Sequence, residues 1–274
     1  EEILNYNFGL ATKRAANGRL LIDAWMSLNE AVPGPGSAQF AQQPAETARL
    51  LQNYDRLQVA FRQKLQERGV EAIAFNFGAG NFSTAAHYLE HFPNTLANYI
   101  YLGFHEYGWP TLFPAAGSAT SGGAYRPCMA GIRAHYGDRH RVLITEAGLT
   151  RMYQNPAWGD VGWLNGDAPL SEEQYWQSLA WYNSQMTADD YVLGACLFEV
   201  GHHGQWATFR HLGQDNQSRP IGLIDRMVAL KEAAQPRATT RGAATTPTVR
   251  QPLPPITITG VVTSVGRPVA GATV

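Results

Sequence analysis

Apolar strand-like segments alternate with helical segments throughout the first 234 residues of this 274-residue chain. Five apolar segments, at residues 20–28, 70–77, 99–105, 141–145 and 191–198, are each followed by a segment with helical features. A nearly continuous apolar run is typical of a strand buried on both faces, as strands of a parallel sheet are. Strict alternation therefore predicts an α/β fold in which helices cover a parallel sheet.

The helical segments are predicted from apolar spacing and from the residues at their ends. The longest, residues 45–68, repeats apolar side chains at helical intervals and is closed by Gly69. Other helices are predicted at residues 3–17, 84–97, 124–136, 171–190 and 221–234. The Pro-, Gly- and Ser-rich segment 32–44 is predicted to be a loop.

Two architectures fit this alternation. A closed barrel of alternating strands and helices needs eight strands, so five strands would form only part of one. A doubly wound open sheet is the alternative, but segment 75–82 contains Gly78 and Gly80 without the third glycine of a nucleotide-binding fingerprint. The alternation alone leaves both architectures open.

The composition changes after residue 234. Residues 235–255 are rich in Pro and Thr, which predicts a flexible linker. Residues 256–274 alternate β-branched side chains around a Gly-Arg-Pro turn and resemble the truncated start of a β-sandwich, of the immunoglobulin-like or carboxypeptidase regulatory-like kind. Nineteen residues are too few to bury a sandwich core, so we expect only its first hairpin. The predicted catalytic-type domain is residues 1–234.

Composition excludes several classes of function. The formal net charge of −1 gives no electrostatic basis for binding nucleic acid or an anionic membrane. Cys128 and Cys196 are far apart in sequence, which argues against a disulfide scaffold or a thiolate zinc site and leaves open whether they pair. No apolar run reaches membrane-spanning length, and no GxSxG elbow supports a serine hydrolase. The oligomeric state stays open.

Two glutamates follow strand-like segments and carry the functional hypothesis. Glu30 comes after segment 20–28, and Glu146 directly follows segment 141–145. In barrels of alternating strands and helices, active-site residues lie at the C-terminal ends of the strands. Two carboxylates at that rim are the minimal equipment of a glycosidase, in which one acts as acid/base and the other as nucleophile or base.

Three short motifs in this order resemble the retaining glycoside hydrolases of clan A, the cellulase-like TIM barrels. The clan has Asn-Glu at the end of strand four, which matches Asn29-Glu30, and His-x-Tyr at the end of strand six, which matches 105–107. Its strand seven ends in the nucleophile glutamate, which matches Glu146. The resemblance covers residues 1–234 and implies a partial (β/α)8 barrel holding strands four to eight, with the first three strands upstream. We therefore expect this segment alone to be inactive.

The resemblance implies roles for the matched residues. Glu30 would protonate the leaving oxygen, Glu146 would attack the anomeric carbon, and Asn29 would hydrogen-bond the sugar 2-hydroxyl. Tyr107 would donate to the nucleophile, with His105 behind it. The resemblance thus implies a secreted enzyme that hydrolyses O-glycosidic bonds of a poly- or oligosaccharide without a cofactor.

An aromatic platform for the sugar is expected after the last strand of the barrel. Phe198 and Trp206 are the candidates, although packing in the core or a loop explains Trp206 equally well.

Two other functions fit the same sequence. One is a non-catalytic carbohydrate-binding barrel. The other is a metal-dependent barrel hydrolase that uses His105 with His202, His203 and His211, although no HExxH motif is present. The sugar, its linkage and endo or exo action are not determined by these motifs.

Overall fold

The computed structural model describes residues 8–35, 37–114, 121–153, 161–164, 170–201 and 204–234, together with 263–264 and 267–268. None of the described helices is both long and apolar enough to cross a membrane. The predicted linker at residues 235–255 lies outside the described residues, as do His202 and His203.

Five parallel strands form one curled sheet that resembles half of a barrel. The strands are β1 (Ala24–Met26), β2 (Glu71–Phe75), β3 (Tyr101–Gly108), β4 (Arg141–Leu149) and β5 (Val192–Leu197). Their spatial order is the chain order, β1-β2-β3-β4-β5. A doubly wound sheet reverses its strand order at a switch point, so this order contradicts the doubly wound alternative and agrees with part of a barrel.

Helices connect and cover the strands, as predicted. They are α1 (Ala38–Gln42), α2 (Pro44–Gln66), α3 (Ala85–His91), α4 (Pro93–Asn98), α5 (Tyr125–Tyr136), α6 (Glu172–Thr187) and α7 (Leu223–Ala234). The short helix α1 lies inside the segment predicted to be a loop, and Ser37 caps it by accepting from the Phe40 backbone N–H. Of the helix predicted at residues 3–17, the described part is helical only at residues 8–11.

The predicted helix at residues 84–97 is two helices, because Pro93 cannot continue the first and begins the second. The buried carboxylate of Asp55, on α2, accepts from the Thr95 backbone N–H at 2.7 Å and from the Asn94 side-chain amide at 2.8 Å. These bonds satisfy donors at the start of α4 and fix α4 against α2.

The lengths of three strands differ from the prediction. Strand β1 covers only three residues of the predicted segment 20–28, whereas β3 and β4 extend three and four residues beyond the predicted ends at 105 and 145. The two long strands lie in the middle of the sheet, where each pairs on both sides. Because β3 and β4 have a neighbouring strand on each side, more of their backbone N–H and C=O groups are hydrogen-bonded, which supports longer strands.

An aromatic cluster fills the space between the first strands and their helices. Phe75, Phe77, Phe82, Tyr88 and Phe92 are all buried, and the Phe77 and Phe82 ring centroids are 4.2 Å apart. Replacing one such ring by Ala typically costs about 3–5 kcal/mol, so this cluster is a principal source of stability for the loop after β2. That loop forms one wall of the cleft described below.

The outer strands of the sheet are less buried than the inner ones. Every residue of β3 after Tyr101 is buried, whereas no residue of β5 is, and the Leu193 residue is 43% exposed. Within the described residues, β1 pairs only with β2 and β5 only with β4. Both outer edges therefore keep backbone groups that another strand could pair with.

The C-terminal region contributes one small described unit. Strands β6 (Thr263–Ser264) and β7 (Arg267–Pro268) pair antiparallel. Arg267 and Pro268, which were predicted to belong to a turn, therefore lie in a strand. The remainder of the proposed β-sandwich start at 256–274 lies outside the described residues. Cys128 is a free buried thiol and Cys196 a free exposed one, so the two do not pair.

Candidate active site

The carboxyl ends of the parallel strands meet at one rim, which holds a cleft of about 370 Å³. Of the six side chains predicted to form a site, five line this cleft: Asn29, Glu30, Tyr107, Glu146 and Trp206. The other lining residues are Gly78, Ala79, Asn81, Thr150, Met152, Phe198 and Phe209. Residues that are 117 positions apart in sequence, Asn29 and Glu146, are in direct contact here.

Glu30 is held by an unusual backbone turn. Its φ is +47°, and its backbone N–H donates to the Asn76 carbonyl at 2.9 Å. Asn76 and the preceding Phe75 also have positive φ, of +55° and +79°. Non-glycine residues in this region cost conformational energy and cluster at functional sites, where surrounding contacts hold them.

Tyr54 supplies one of those holding contacts. Its hydroxyl donates to the Phe75 carbonyl at 2.8 Å, directly beneath the turn. Burial raises the pKa of Tyr54 to about 12, so the hydroxyl stays protonated and remains a donor. The same hydroxyl lies 3.5 Å from the Leu28 carbonyl, so Tyr54 links the end of β2 to the segment that follows β1 and precedes Glu30.

Glu146 is held by two donors. The Tyr107 hydroxyl donates to Oε2 at 2.9 Å, and the Asn29 amide donates to Oε1 at 3.3 Å. Burial and the neighbouring Glu146 charge raise the pKa of Tyr107, so its hydroxyl keeps its proton. Hydrogen bonds to both oxygens stabilise the ionised form of a carboxylate.

His105 connects the two carboxylates. Its Nδ1 lies 2.8 Å from Oε1 of Glu30 and 3.6 Å from Oε2 of Glu146, and its side chain is fully buried behind the cleft. Both neighbours of Nδ1 are acceptors when ionised, which favours the tautomer with hydrogen on Nδ1. One oxygen of each glutamate and one His105 nitrogen lie within 4.8 Å of one another.

A β-bulge brings His105 and Glu146 to the same face. Phe104 pairs with Ile144 but His105 pairs with Glu146, so Thr145 is an extra residue on β4. The Phe104 ring packs against Tyr125 on the helix side. Without the bulge, strict alternation from Ile144 would direct Glu146 to that helix side as well; the extra residue redirects it into the cleft.

Glu106, between the two matched residues of β3, faces the opposite way. Its carboxylate accepts from the backbone N–H groups of Gly123 and Tyr125, at 2.9 and 2.8 Å, and from the Tyr182 hydroxyl. Burial raises the pKa of Glu106 to about 7, while these hydrogen bonds act in the opposite direction. Glu106 thus joins β3 to the start of α5 and to α6.

Aromatic rings form the wall of the cleft after β5. The Trp206 ring lies 5.6 Å from the Phe198 ring and 6.0 Å from the Phe209 ring, centroid to centroid, in edge-on arrangements. Trp206 is partly exposed and lines the cleft. It is therefore both a packing residue of this wall and a ring available at the cleft surface.

His211 does not join His105. Its Nδ1 lies 2.7 Å from the Glu199 carbonyl and its Nε2 lies 3.0 Å from the Tyr175 hydroxyl, so both ring nitrogens are engaged in the protein interior. Burial lowers the pKa of His211 to about 4. The prediction that His211 binds a metal together with His105 is therefore wrong, because neither ring nitrogen of His211 is available.

Three features of the site were not found by sequence reasoning. These are the left-handed turn at Phe75-Asn76, the close approach of Gly78 to Glu30, and the extra residue Thr145. A Cβ on Gly78 would lie 3.3 Å from Oε1 of Glu30, so a side chain there would press on the carboxylate. Asn76, Gly78 and Gly80 are turn-forming residues close together in sequence, and they are the signal from which a special backbone could have been predicted here.

Comparisons with known proteins give distant structural likeness only. No protein-family model matches the chain, and no curated protein matches it. Among solved structures, a GH128 (subgroup I) endo-β-1,3-glucanase from Amycolatopsis mediterranei, in complex with laminarihexaose, is similar at 16% identity with a TM-score of 0.38. That alignment covers 65% of this chain and 61% of the glucanase.

A second structure of that glucanase, with laminaritriose and laminaribiose, has 16% identity, the same coverage and a TM-score of 0.35. An endo-β-1,4-glucanase from Xanthomonas axonopodis pv. citri has 14% identity and a TM-score of 0.33, with 62% of this chain and 51% of that one covered. The chain spans less than two thirds of each of these proteins. Similarity at this level does not assign the chain to a family.

Proposed function

We propose that this chain carries the catalytic pair of a retaining glycoside hydrolase, which cleaves O-glycosidic bonds of a poly- or oligosaccharide by double displacement. The observation that carries the proposal is the placement of Glu30 and Glu146. Their carboxylates share one cleft at the C-terminal rim of a parallel sheet, with one oxygen of each within 4.8 Å of the other. Retaining enzymes place their two carboxyl groups about 5–5.5 Å apart and inverting enzymes about 6.5–9.5 Å apart, and a closest approach of the oxygens below 4.8 Å is compatible with the retaining separation.

The different surroundings of the two carboxylates support different roles. Glu146 accepts from two donors and its side chain is only 19% exposed, which suits an ionised nucleophile held in one orientation. The Glu30 side chain is 45% exposed, which suits a group that must reach first the leaving oxygen and then a water molecule. We assign the nucleophile to Glu146 and the acid/base to Glu30.

The proposed reaction has two steps. In the first, Glu146 attacks the anomeric carbon while Glu30 transfers its proton to the leaving oxygen, which leaves Glu30 ionised. In the second, Glu30 removes a proton from water, and that water displaces Glu146 from the glycosyl ester. Tyr107 and Asn29 both donate to Glu146, and we assign Asn29 the further role of hydrogen-bonding the sugar 2-hydroxyl.

His105 supports the pair from behind. A hydrogen on Nδ1 donates to Glu30 at 2.8 Å when that group is ionised, which is its state between the two steps. Trp206 offers a ring for the apolar face of a sugar. We further propose an extracellular or cell-surface location, based on the Pro/Thr-rich linker and the β-rich segment after it.

The stereochemistry of the product tests this proposal. The full-length protein is given a panel of β-linked glucans and other polysaccharides, and the anomer first released is followed by NMR. We expect retention of configuration. Loss of turnover in Glu146→Ala, with azide restoring cleavage of an activated substrate as the inverted glycosyl azide, would identify the nucleophile.

A matched control is Glu67→Gln, which removes an exposed carboxylate on the distant surface. It should leave turnover unchanged. An inverted product, or full activity in Glu146→Ala and Glu30→Ala, would refute the mechanism. Saturable sugar binding without turnover would instead support the non-catalytic binding barrel.

A further inference from the structure

The three groups at the centre of the cleft form a set of metal ligands. Glu30 and Glu146 each offer a carboxylate oxygen and His105 offers Nδ1, all within 4.8 Å of one another. Imidazole nitrogen combined with carboxylate oxygen is a donor set that suits Zn²⁺ and similar transition-metal ions. The ring of His105 is buried while the carboxylates line the cleft, so an ion would enter from solvent and reach the nitrogen last.

The distances suit a small ion. Zn²⁺ bonds of about 2.0–2.1 Å in a tetrahedral site place neighbouring ligand atoms about 3.3 Å apart. Nδ1 of His105 is 2.8 Å from Oε1 of Glu30 and 3.6 Å from Oε2 of Glu146, on either side of that value. The oxygens of Glu30 and Glu146 lie within 4.8 Å of each other, a wider limit than about 3.3 Å, so the exposed Glu30 side chain would rotate towards Glu146 to bring all three atoms to bonding distance.

Supporting contacts hold the ligands in place before any ion arrives. Tyr107 and Asn29 bind the two oxygens of Glu146, and the left-handed turn directs Glu30 towards His105. Hydrogen bonds to ligating carboxylates are a recurrent part of metal sites and raise their affinity. Such order lowers the conformational cost of binding.

We propose that Glu30, His105 and Glu146 bind one transition-metal dication of the Zn²⁺ type, with the open fourth position facing the cleft. Nδ1 binds through its lone pair, so the imidazole hydrogen moves to Nε2 in the bound form. Mg²⁺ and Ca²⁺ should bind more weakly, because these hard cations prefer oxygen ligands and gain little from the imidazole nitrogen.

The ion acts as an inhibitor of the proposed hydrolase. It occupies the space between the two carboxylates, where the anomeric carbon and the leaving oxygen must lie, and it ties up the lone pairs of both groups. This regulatory consequence rests on the proposed function, whereas binding of the ion does not. Inhibition should be competitive with substrate and reversed by a chelator.

Binding is tested on the full-length protein without any activity assay. Zn²⁺ and then Co²⁺ are titrated by calorimetry, and the Co²⁺ complex is followed by visible absorption, which reports coordination number. Relative to wild type, Glu30→Gln and Glu146→Gln should each lose one site per chain or weaken it by at least about tenfold. Tyr107→Phe, which removes only a supporting bond, should weaken the same site by a smaller factor.

Controls separate this site from surface binding. His135→Gln, at an exposed histidine, and Glu67→Gln, at an exposed carboxylate, should leave the titration unchanged. Glu30→Gln is the decisive variant because its side chain is partly exposed and its replacement should not disturb folding. Equal Zn²⁺ binding by wild type and both Glu→Gln variants would overturn the proposal. Specific binding by a protein that shows no glycosidase activity even after a chelator has removed the ion would retain the metal site and reject the proposed function.

Discussion

His105 and Glu146 are direct neighbours across β3 and β4 because Thr145 is an extra residue in the β4 ladder. This register brings a ring nitrogen and a carboxylate oxygen to 3.6 Å, with Glu30 completing the group at 2.8 Å from the same nitrogen. A local irregularity of the sheet, rather than its regular alternation, therefore brings the proposed nucleophile into the cleft.

Removing the Tyr107 hydroxyl should impair the proposed nucleophile. Tyr107→Phe deletes the 2.9 Å bond to Oε2 of Glu146 while keeping the ring that packs near Phe209. A hydrogen bond to a charged group contributes about 1.5–3 kcal/mol, so we expect kcat to fall by about 10–100-fold. Steady-state kinetics measures this, and Tyr101→Phe, at the far end of the same strand, serves as control. An unchanged kcat would remove Tyr107 from the proposed machinery.

A methyl group at Gly78 should displace Glu30. In Gly78→Ala the new Cβ would lie 3.1 Å from the Asn81 amide nitrogen and 3.3 Å from the Glu30 carboxylate, both of which are side-chain atoms. Because a shift of about 1 Å in a catalytic group can cost about 100-fold, we expect a large loss of kcat/KM with little loss of stability.

Gly201→Ala is the matched control for Gly78→Ala. A Cβ on Gly201 would meet nothing within 4 Å, so kcat/KM should be retained. Thermal unfolding of both variants checks that the fold is kept. Full activity of Gly78→Ala would contradict the expectation that a methyl group at residue 78 displaces the Glu30 carboxylate.

The Glu106 carboxyl should make stability depend on pH. Its pKa rises from the ordinary 4.5 to about 7 in the folded protein, so the folded state binds the proton more tightly than the unfolded state does. Its contribution is therefore fully present below pH 4.5 and is lost as the pH rises through about 7. A shift of this size corresponds to about 3 kcal/mol.

Glu106→Gln isolates this effect. The amide cannot ionise, so the part of the pH dependence between about 4.5 and 7 should vanish. The variant should also be less stable by about 1–3 kcal/mol at pH 5, since the amide nitrogen would face a backbone N–H donor. Urea unfolding at several pH values measures both, and an identical pH slope in wild type and variant would contradict the expectation.

The buried His211 side chain should make the free energy of unfolding decrease, rather than increase, as the pH falls. Burial lowers its pKa from 6.5 to about 4, so its contribution to stability is present above pH 6.5 and is lost as the pH falls towards 4. His211→Phe should be less stable at pH 8, because the Glu199 carbonyl and Tyr175 hydroxyl lose a partner. Its free energy of unfolding should fall less than that of wild type between pH 6.5 and 4.5.

The Glu106 and His211 effects overlap between pH 4.5 and 6.5, so wild type alone can show a flat profile there. The double variant separates them, because the described part of the chain shows no direct contact between Glu106 and His211, so their effects should add. A steeper acid loss in His211→Phe than in wild type would contradict the role given to the neutral histidine.

Sequence patterns were sufficient for the parallel sheet, since apolar runs and alternation determine which segments are strands and how they connect. They also located Glu30 and Glu146 near strand ends, which in a parallel sheet meet at one rim. They could not give the Thr145 bulge or the positive φ of Phe75, because these depend on contacts with neighbouring strands and with Tyr54. The break at Pro93 was readable from the sequence, because proline disrupts a helix interior, yet residues 84–97 were predicted to form one continuous helix.

The outer edges of β1 and β5, unpaired within the described residues, allow the substrate preference of such a protein to change while its proposed reactive groups are kept. Both proposed reactive carboxylates, with His105, Tyr107 and Asn29, come from a single stretch of 118 residues, from Asn29 to Glu146. Polypeptide that pairs with either outer edge would shape the walls of the cleft without supplying these groups. The proposed reactive groups and the residues that select the sugar can then lie on different segments of polypeptide. Joining these five strands to different strand–helix segments is a practical route to altered substrate preference.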